Sequence, residues 1–196
     1  MEIRDVLDAA TLFLQRFPSH IPEFRRIFAE EHVHYTIDKL GGVHHLVDTE
    51  FAENRACAIS RLQNQRYENV RLEFDKSYNA FDVVPPEGKT AIRSIFASVE
   101  CIFRLMFPNA TRLAKDQVEK FLRPRIQTFV ESDSVEGRAT KKALESFLDW
   151  IEASHFYRHE QGTEEPNQPP LSLAVLLVAN GANWLRWLAE IDQRQK

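Results

Sequence analysis

From Lys89 to Phe107, apolar side chains recur in steps of three and four, at Ile92, Ile95, Phe96, Val99, Ile102, Phe103 and Met106. This spacing predicts one α-helix with a wide apolar stripe, the strongest periodic signal in the chain. A stripe this broad needs several neighbours to cover it, so the rest of the chain has to supply matching apolar faces. Val83-Val84-Pro85-Pro86-Glu87-Gly88 bounds the helix on one side. Consecutive prolines cannot continue a helix, and they push the residue before them toward extended backbone. Pro108 ends it on the other side.

Further helices follow by the same reasoning. Leu113, Val118, Phe121, Leu122 and Ile126 mark one, which Pro124 is expected to kink or end. Ala139 to Phe156 marks another, with Leu144, Phe147, Leu148 and Ile151 inward, and Leu171 to about Ile191 marks the last. Upstream, Asp5 to Phe17 and Pro22 to His32 read as a helical hairpin, and Gly41-Gly42 breaks the pattern. Asp48 to Phe81 then reads as a single helix of about 50 Å, with Leu62, Val70, Phe74, Tyr78 and Phe81 on one stripe. With only six glycines and nine prolines in 196 residues, long helices are favoured over a turn-rich β architecture. The expected fold class is all-α: an N-terminal helical hairpin and long helix over 1–84, and a four-helix bundle over 85–196.

A formal net charge of −4 argues against coating nucleic acid by bulk charge. The charge is uneven: residues 89–142 hold eleven Lys and Arg against six Asp and Glu, and residues 143–196 hold four against eight. Cys57 and Cys101 lie in apolar helical contexts without metal-like spacing, so both are expected to be reduced core residues. The opening stretch MEIRDVLDAATLFLQRF has acidic residues where a secretory signal needs a basic end, so a cytoplasmic location is expected. The apolar run Leu171–Ala179 is shorter than the roughly 20 residues of a membrane span, which predicts a segment buried in protein and no membrane partner.

His155-Phe156-Tyr157-Arg158-His159-Glu160-Gln161-Gly162 closes a predicted helix just before a polar loop ending at Pro169-Pro170. An imidazole there could exchange protons near neutral pH, and an adjacent guanidinium could hold a phosphate and stabilise charge developing on it. The same residues also suit a plain role at a helix C-terminus, where cations meet the last carbonyls. Glu100 and Arg104 stand at i,i+4 on the strongest helix. They read either as an ion pair at the core edge, or as a carboxylate orienting His159 with a guanidinium nearby for phosphate. His32, His34, His44 and His45 with Asp48 have poor spacing for a metal, so neither metal nor cofactor is expected. Trp150, Trp184 and Trp187 suit core or interface anchoring, and Trp184, Arg186 and Trp187 are expected to mark a subunit interface.

Over roughly residues 48–196 the chain resembles the HEPN superfamily, and within it the helical domains of bacterial abortive-infection proteins. Three segments carry the resemblance. Ala91 to Phe103 looks like the family's Ala- and Glu-bearing helix, Phe156 to Gly162 like its Arg-His-Gly helix end, and Pro169 to Ala174 like the lead into its apolar last helix. The resemblance implies a helical bundle that dimerises, in a family whose members often act as metal-independent endoribonucleases in phage defence. The family's usual pair is an Arg followed by four to six residues and then His. Here Arg158 directly precedes His159, and the spacing occurs only between Arg25 or Arg26 and His32, outside the resembling region.

Two readings follow, with a third beside them. The chain is a binding or regulatory homodimer with a departed nuclease motif and an RNA or protein partner. Alternatively it is a divergent ribonuclease in which His159 is the general acid and base, with Arg158 and possibly Arg104 on phosphate and Glu100 orienting the imidazole. The third is a structural helical subunit of a larger complex.

Overall fold

The computed structural model describes residues 3–31, 33, 35–45, 47–83, 85–158 and 168–194. Helices α1 (Ile3–Arg16) and α2 (Ile21–Glu30) are joined by a 3-10 turn at Pro18–His20. Pro22 stands in the first turn of α2, where its missing N–H costs nothing. The Phe13 and Phe24 rings, 5.8 Å apart, close the hairpin between the two helices.

An element absent from the sequence reading follows. Strands β1 (Tyr35–Ile37) and β2 (Val43–His45) pair antiparallel, with Tyr35 opposite His45 and Ile37 opposite Val43. The Gly41-Gly42 break is the turn of this hairpin. Asp38 Oδ1 accepts the N–H groups of Leu40 and Gly42, each at 2.8 Å, and Gly41 adopts a left-handed φ of 87°. A Cβ on Gly41 would lie 2.7 Å from the Leu14 carbonyl carbon. Both the turn and the closeness of α1 therefore require glycine. Leu14, Ile21 and Ile37 form a small cluster of their own beneath this unit.

The single long helix expected over Asp48–Phe81 is instead two, α3 (Thr49–Arg61) and α4 (Glu68–Asp82). Asp48 caps α3 by accepting the Phe51 N–H at 2.6 Å. Between the two helices, Asn64 Oδ1 accepts the Arg66 N–H at 3.0 Å and opens a 3-10 turn at Gln65–Tyr67. Arg71 reaches back to the carbonyls of Leu62 and Asn64. A side chain of α4 thus satisfies the carbonyls that a helix end leaves open, while the stripe from Leu62 to Phe81 stays buried across the break.

Next come α5 (Gly88–Met106), α6 (Lys115–Gln117) and α7 (Arg123–Gln127), then α8 (Val135–Arg158) and α9 (Leu171–Gln193). Pro124 does not end its helix. A π turn at Val118–Leu122 joins α6 to α7, and the Arg123 N–H reaches back five residues to the Val118 carbonyl. The wider turn absorbs the misfit of a residue that has no N–H to give and whose ring crowds the turn before it.

The described residues are mostly helical, and α5 is their centre. All seven stripe residues of α5 are buried, covered by α4, α8 and α9, while α3 packs on α9. One core cluster runs from Phe51 to Ile191, and Pro85–Glu87 lies between α4 and α5, two helices that share it. Gly181 sets the closest crossing: a Cβ there would sit 2.3 Å from Ile95 Cγ1 and 3.0 Å from Trp150 Cζ2. Buried polar groups bond across helices. Ser98 Oγ donates to the Val70 carbonyl at 2.7 Å, Trp150 Nε1 to that of Leu177 at 2.9 Å, and Asn54 Nδ2 to that of Ala179 at 3.0 Å.

Near the end of α9, Asp192 is only 6% exposed. Its carboxylate accepts from Tyr67 Oη at 2.6 Å and from Arg66 Nη2 at 3.2 Å, and Arg66 Nη2 also donates to the Leu105 carbonyl at 2.7 Å. A buried carboxylate is tolerated only with such partners. This knot ties the end of α9 to the α3–α4 break and to the end of α5. By length and composition alone, α9 reaches what a membrane crossing needs, so the run judged too short belongs to a longer apolar helix. Here Ala174, Leu177, Val178, Ala182, Leu185 and Leu188 of α9 lie in the core.

Gly181→Ala is expected to overpack the α5–α8–α9 crossing and to cost about 1–3 kcal/mol in denaturant unfolding, with little change in far-UV dichroism. Burial raises the Tyr67 phenol well above its ordinary value of 10.0, assisted by its bond to Asp192, and burial likewise raises that of Tyr78. A raised folded value means that both phenols favour folding fully below pH 10 and progressively less as pH climbs beyond it. Absorbance titration at 295 nm should show these two phenolates appearing only with alkaline unfolding.

Candidate functional site

The stripe of α5 turns one edge away from the core, and Glu100 stands on it, half-buried. After Pro108 the chain folds back, so that the Leu113 backbone N–H returns to this edge. Glu100 Oε1 accepts the Leu113 N–H at 2.8 Å, and Oε2 faces Nη2 of Arg158, the last residue of α8, at 3.4 Å. The Arg158 guanidinium carbon sits 4.5 Å from the ring centroid of Phe96, one turn before Glu100. His155 packs against the same ring at 5.2 Å, and Trp150 stacks on it at 5.9 Å.

Glu100 and Arg158 are thus brought together from helices 58 residues apart in sequence. Glu100 and Arg104 are not paired. With Oε1 held by a backbone amide, the Glu100 carboxylate is directed toward the end of α8. Arg104 is exposed one turn further on and lines a shallow cavity of about 340 Å³ with Glu100, Cys101 and Pro108. His159 lies outside the described residues, as does most of the polar loop after it, so the expected approach of Glu100 to its imidazole falls there too.

The electrostatics follow from these contacts. The side chains of Arg158 and Glu100 are 30% and 19% exposed, so water still reaches the pair and its net worth is modest. Seating the guanidinium over the Phe96 face adds about 0.5–2 kcal/mol of cation–π attraction. An ionised carboxylate only accepts, and both oxygens of Glu100 are engaged. The Glu100 contact takes only Nη2 of the guanidinium, so a phosphate approaching Arg158 would meet a neighbouring carboxylate and its repulsion. Beside them, burial pushes the Cys101 thiol pKa up, partly opposed by Arg104, which disfavours the nucleophilic thiolate. Cys57, expected in the core, is exposed on α3, and both cysteines are free thiols.

Other candidates are placed as follows. Asp48 is spent on capping α3, while His32 and His34 lie outside the described residues. Trp150 is buried, and the half-buried Trp184 lies between Phe147 at 5.1 Å and Trp187 at 5.8 Å. Sequence reasoning missed Phe96 as the seat of Arg158 and the Leu113 amide as the partner of Glu100. Phe96 reads as one more stripe residue, and a backbone amide carries no sequence signal at all.

In a double-mutant cycle, Glu100→Ala and Arg158→Ala should couple by no more than about 1 kcal/mol, as for other water-accessible pairs. Glu100→Ala alone should cost more than Arg158→Ala, because it also leaves the Leu113 N–H without its acceptor. Urea unfolding of the four proteins measures both. Compared with protein-family models, curated proteins and solved structures, the chain matches none of them.

Proposed function

We propose that this chain is a HEPN-like helical bundle, associated with bacterial antiviral defence, that works as a binding or regulatory module and not as a nuclease. The resemblance over Ala91–Phe103, Phe156–Gly162 and Pro169–Ala174 supports the family part of this reading. One observation supports the rest: Arg158, the arginine beside His159, is paired with Glu100 and seated on Phe96.

Metal-free RNA cleavage needs a cation free to meet the phosphate, together with a proton-transferring group within reach of it. Glu100 answers part of the Arg158 charge and so weakens its hold on a phosphate, while Arg104 is a solvated charge one turn beyond Glu100. In this reading the arginine is a strut that fixes the end of α8. The protein acts as a cytoplasmic homodimer whose subunits meet through the surface bearing Trp184, Arg186 and Trp187. Its partner is RNA or another protein, with no membrane involved.

Purified protein incubated with single-stranded and structured RNA in EDTA should show no cleavage above a buffer control, and His159→Ala should behave like the parent. Strong cleavage in EDTA that His159→Ala abolishes would replace this reading with that of a divergent ribonuclease. Sedimentation in the same buffer should show a dimer, which Trp187→Glu shifts toward monomer.

A further inference from the structure

Between the α7 segment and the first turns of α8 lies a cavity of about 380 Å³ that no part of the functional reading uses. Its volume falls in the range of small-molecule sites, about 300–1,000 Å³. The floor is apolar, made by Ile126, Val130 and Leu144, all buried. The rim is basic: Arg123 comes from α7, and Arg138 and Lys141 stand one helical turn apart on α8.

These three cations are not equally committed. Arg123 is held by Glu119 through both Nε and Nη2, so most of its charge is answered. Arg138 donates from Nη1 to the Asp133 carbonyl, a neutral group, and so keeps its formal charge. Lys141 makes no close ion pair with the described residues, but it stands near enough to Glu145, one turn on, to help lower that carboxyl's pKa. Asp133 is the one acid on the rim, and it is exposed. Ser132 and Thr140 add hydroxyls, and Gly137 brings the first turn of the 24-residue α8 to the wall. The positive end of the helix dipole adds to the Arg138 and Lys141 side chains, although the Gly137 N–H is itself taken by Ser134 Oγ at 2.9 Å.

We infer that this cavity binds a small phosphorylated ligand, with its phosphoryl group against Arg138, Lys141 and the start of α8, and its apolar part over Ile126, Val130 and Leu144. Two side-chain cations and a helix N-terminus suit a doubly charged anion, and an arginine fork with nearby hydroxyls suits phosphoryl oxygens. A closed apolar floor suits a finite organic moiety better than a passing polymer. The overall charge of −4 likewise gives a nucleic-acid strand little reason to gather here. The inference stands apart from the antiviral reading and would survive its failure.

Isothermal titration of the full chain with adenosine 5′-monophosphate, inorganic phosphate and adenosine is the test. The monophosphate should bind saturably and more tightly than either fragment, since only it reaches both rim and floor. Arg138→Gln with Lys141→Gln should weaken it by at least about tenfold, as expected for losing two charge-assisted contacts. Lys141→Glu alone should also weaken it, and Lys76→Glu, which makes the same charge change elsewhere, should not. All three sites are exposed, and thermal melts confirm that each variant folds. Absence of binding by both monophosphate and phosphate at millimolar concentration overturns the proposal, as does an affinity unchanged in the double variant. A short single-stranded RNA that binds more tightly than the monophosphate, with the same loss in the double variant, overturns it in favour of a nucleic-acid surface.

Discussion

The burial of α5 is the constraint on which the rest depends. A helix with so broad an apolar stripe cannot face water, and three other helices are recruited to cover it. Their closeness is limited by single atoms. Gly181 lets α9 come against Ile95 where any side chain would collide, and Ser98 spends its hydroxyl on the Val70 carbonyl so that a polar residue can remain inside. Close packing of this kind transmits position. Because α5 is fixed on its buried sides, the edge that bears Glu100 is fixed as well, and with it the point at which the end of α8 is received.

The open end of the bundle is secured differently, by charge in place of volume. Asp192, Tyr67 and Arg66 join three elements through hydrogen bonds around one buried carboxylate. Removing any one partner would leave another unanswered in a poorly solvated place, which is why such groups tend to act together. The bundle is therefore held by apolar burial along its length and by a polar knot where its helices stop.

Period and punctuation made most of the helices legible in the sequence. Every stripe residue of α5 is buried, and the Pro85-Pro86 turn and the limits of α9 stand close to where the residues put them. What was not legible depends on contacts between distant parts. The helix over 48–81 looks unbroken because its stripe continues, and only the Asn64 cap and the Arg71 side chain reveal the break. The β1–β2 hairpin is made of three-residue strands, too short to show alternation. Cys57 sits among apolar neighbours in sequence yet faces outward in the folded chain. At the candidate site, Glu100 has an attractive partner four residues on, but a backbone amide and an aromatic ring select a different arginine. Local spacing offers possible partners, and tertiary geometry chooses among them.

The π turn before Pro124 links two features that look unrelated when read along the chain. A turn of this width carries one more residue than an ordinary one, and the ring that follows it is what makes that surplus worth keeping. The surplus residue and the ring form a matched set: shortening the turn while keeping the proline would press the ring into a regular helix, and replacing the proline would remove the reason for the slack. Change in this helix should therefore come in pairs, with a one-residue difference in length accompanying the gain or loss of an imino acid.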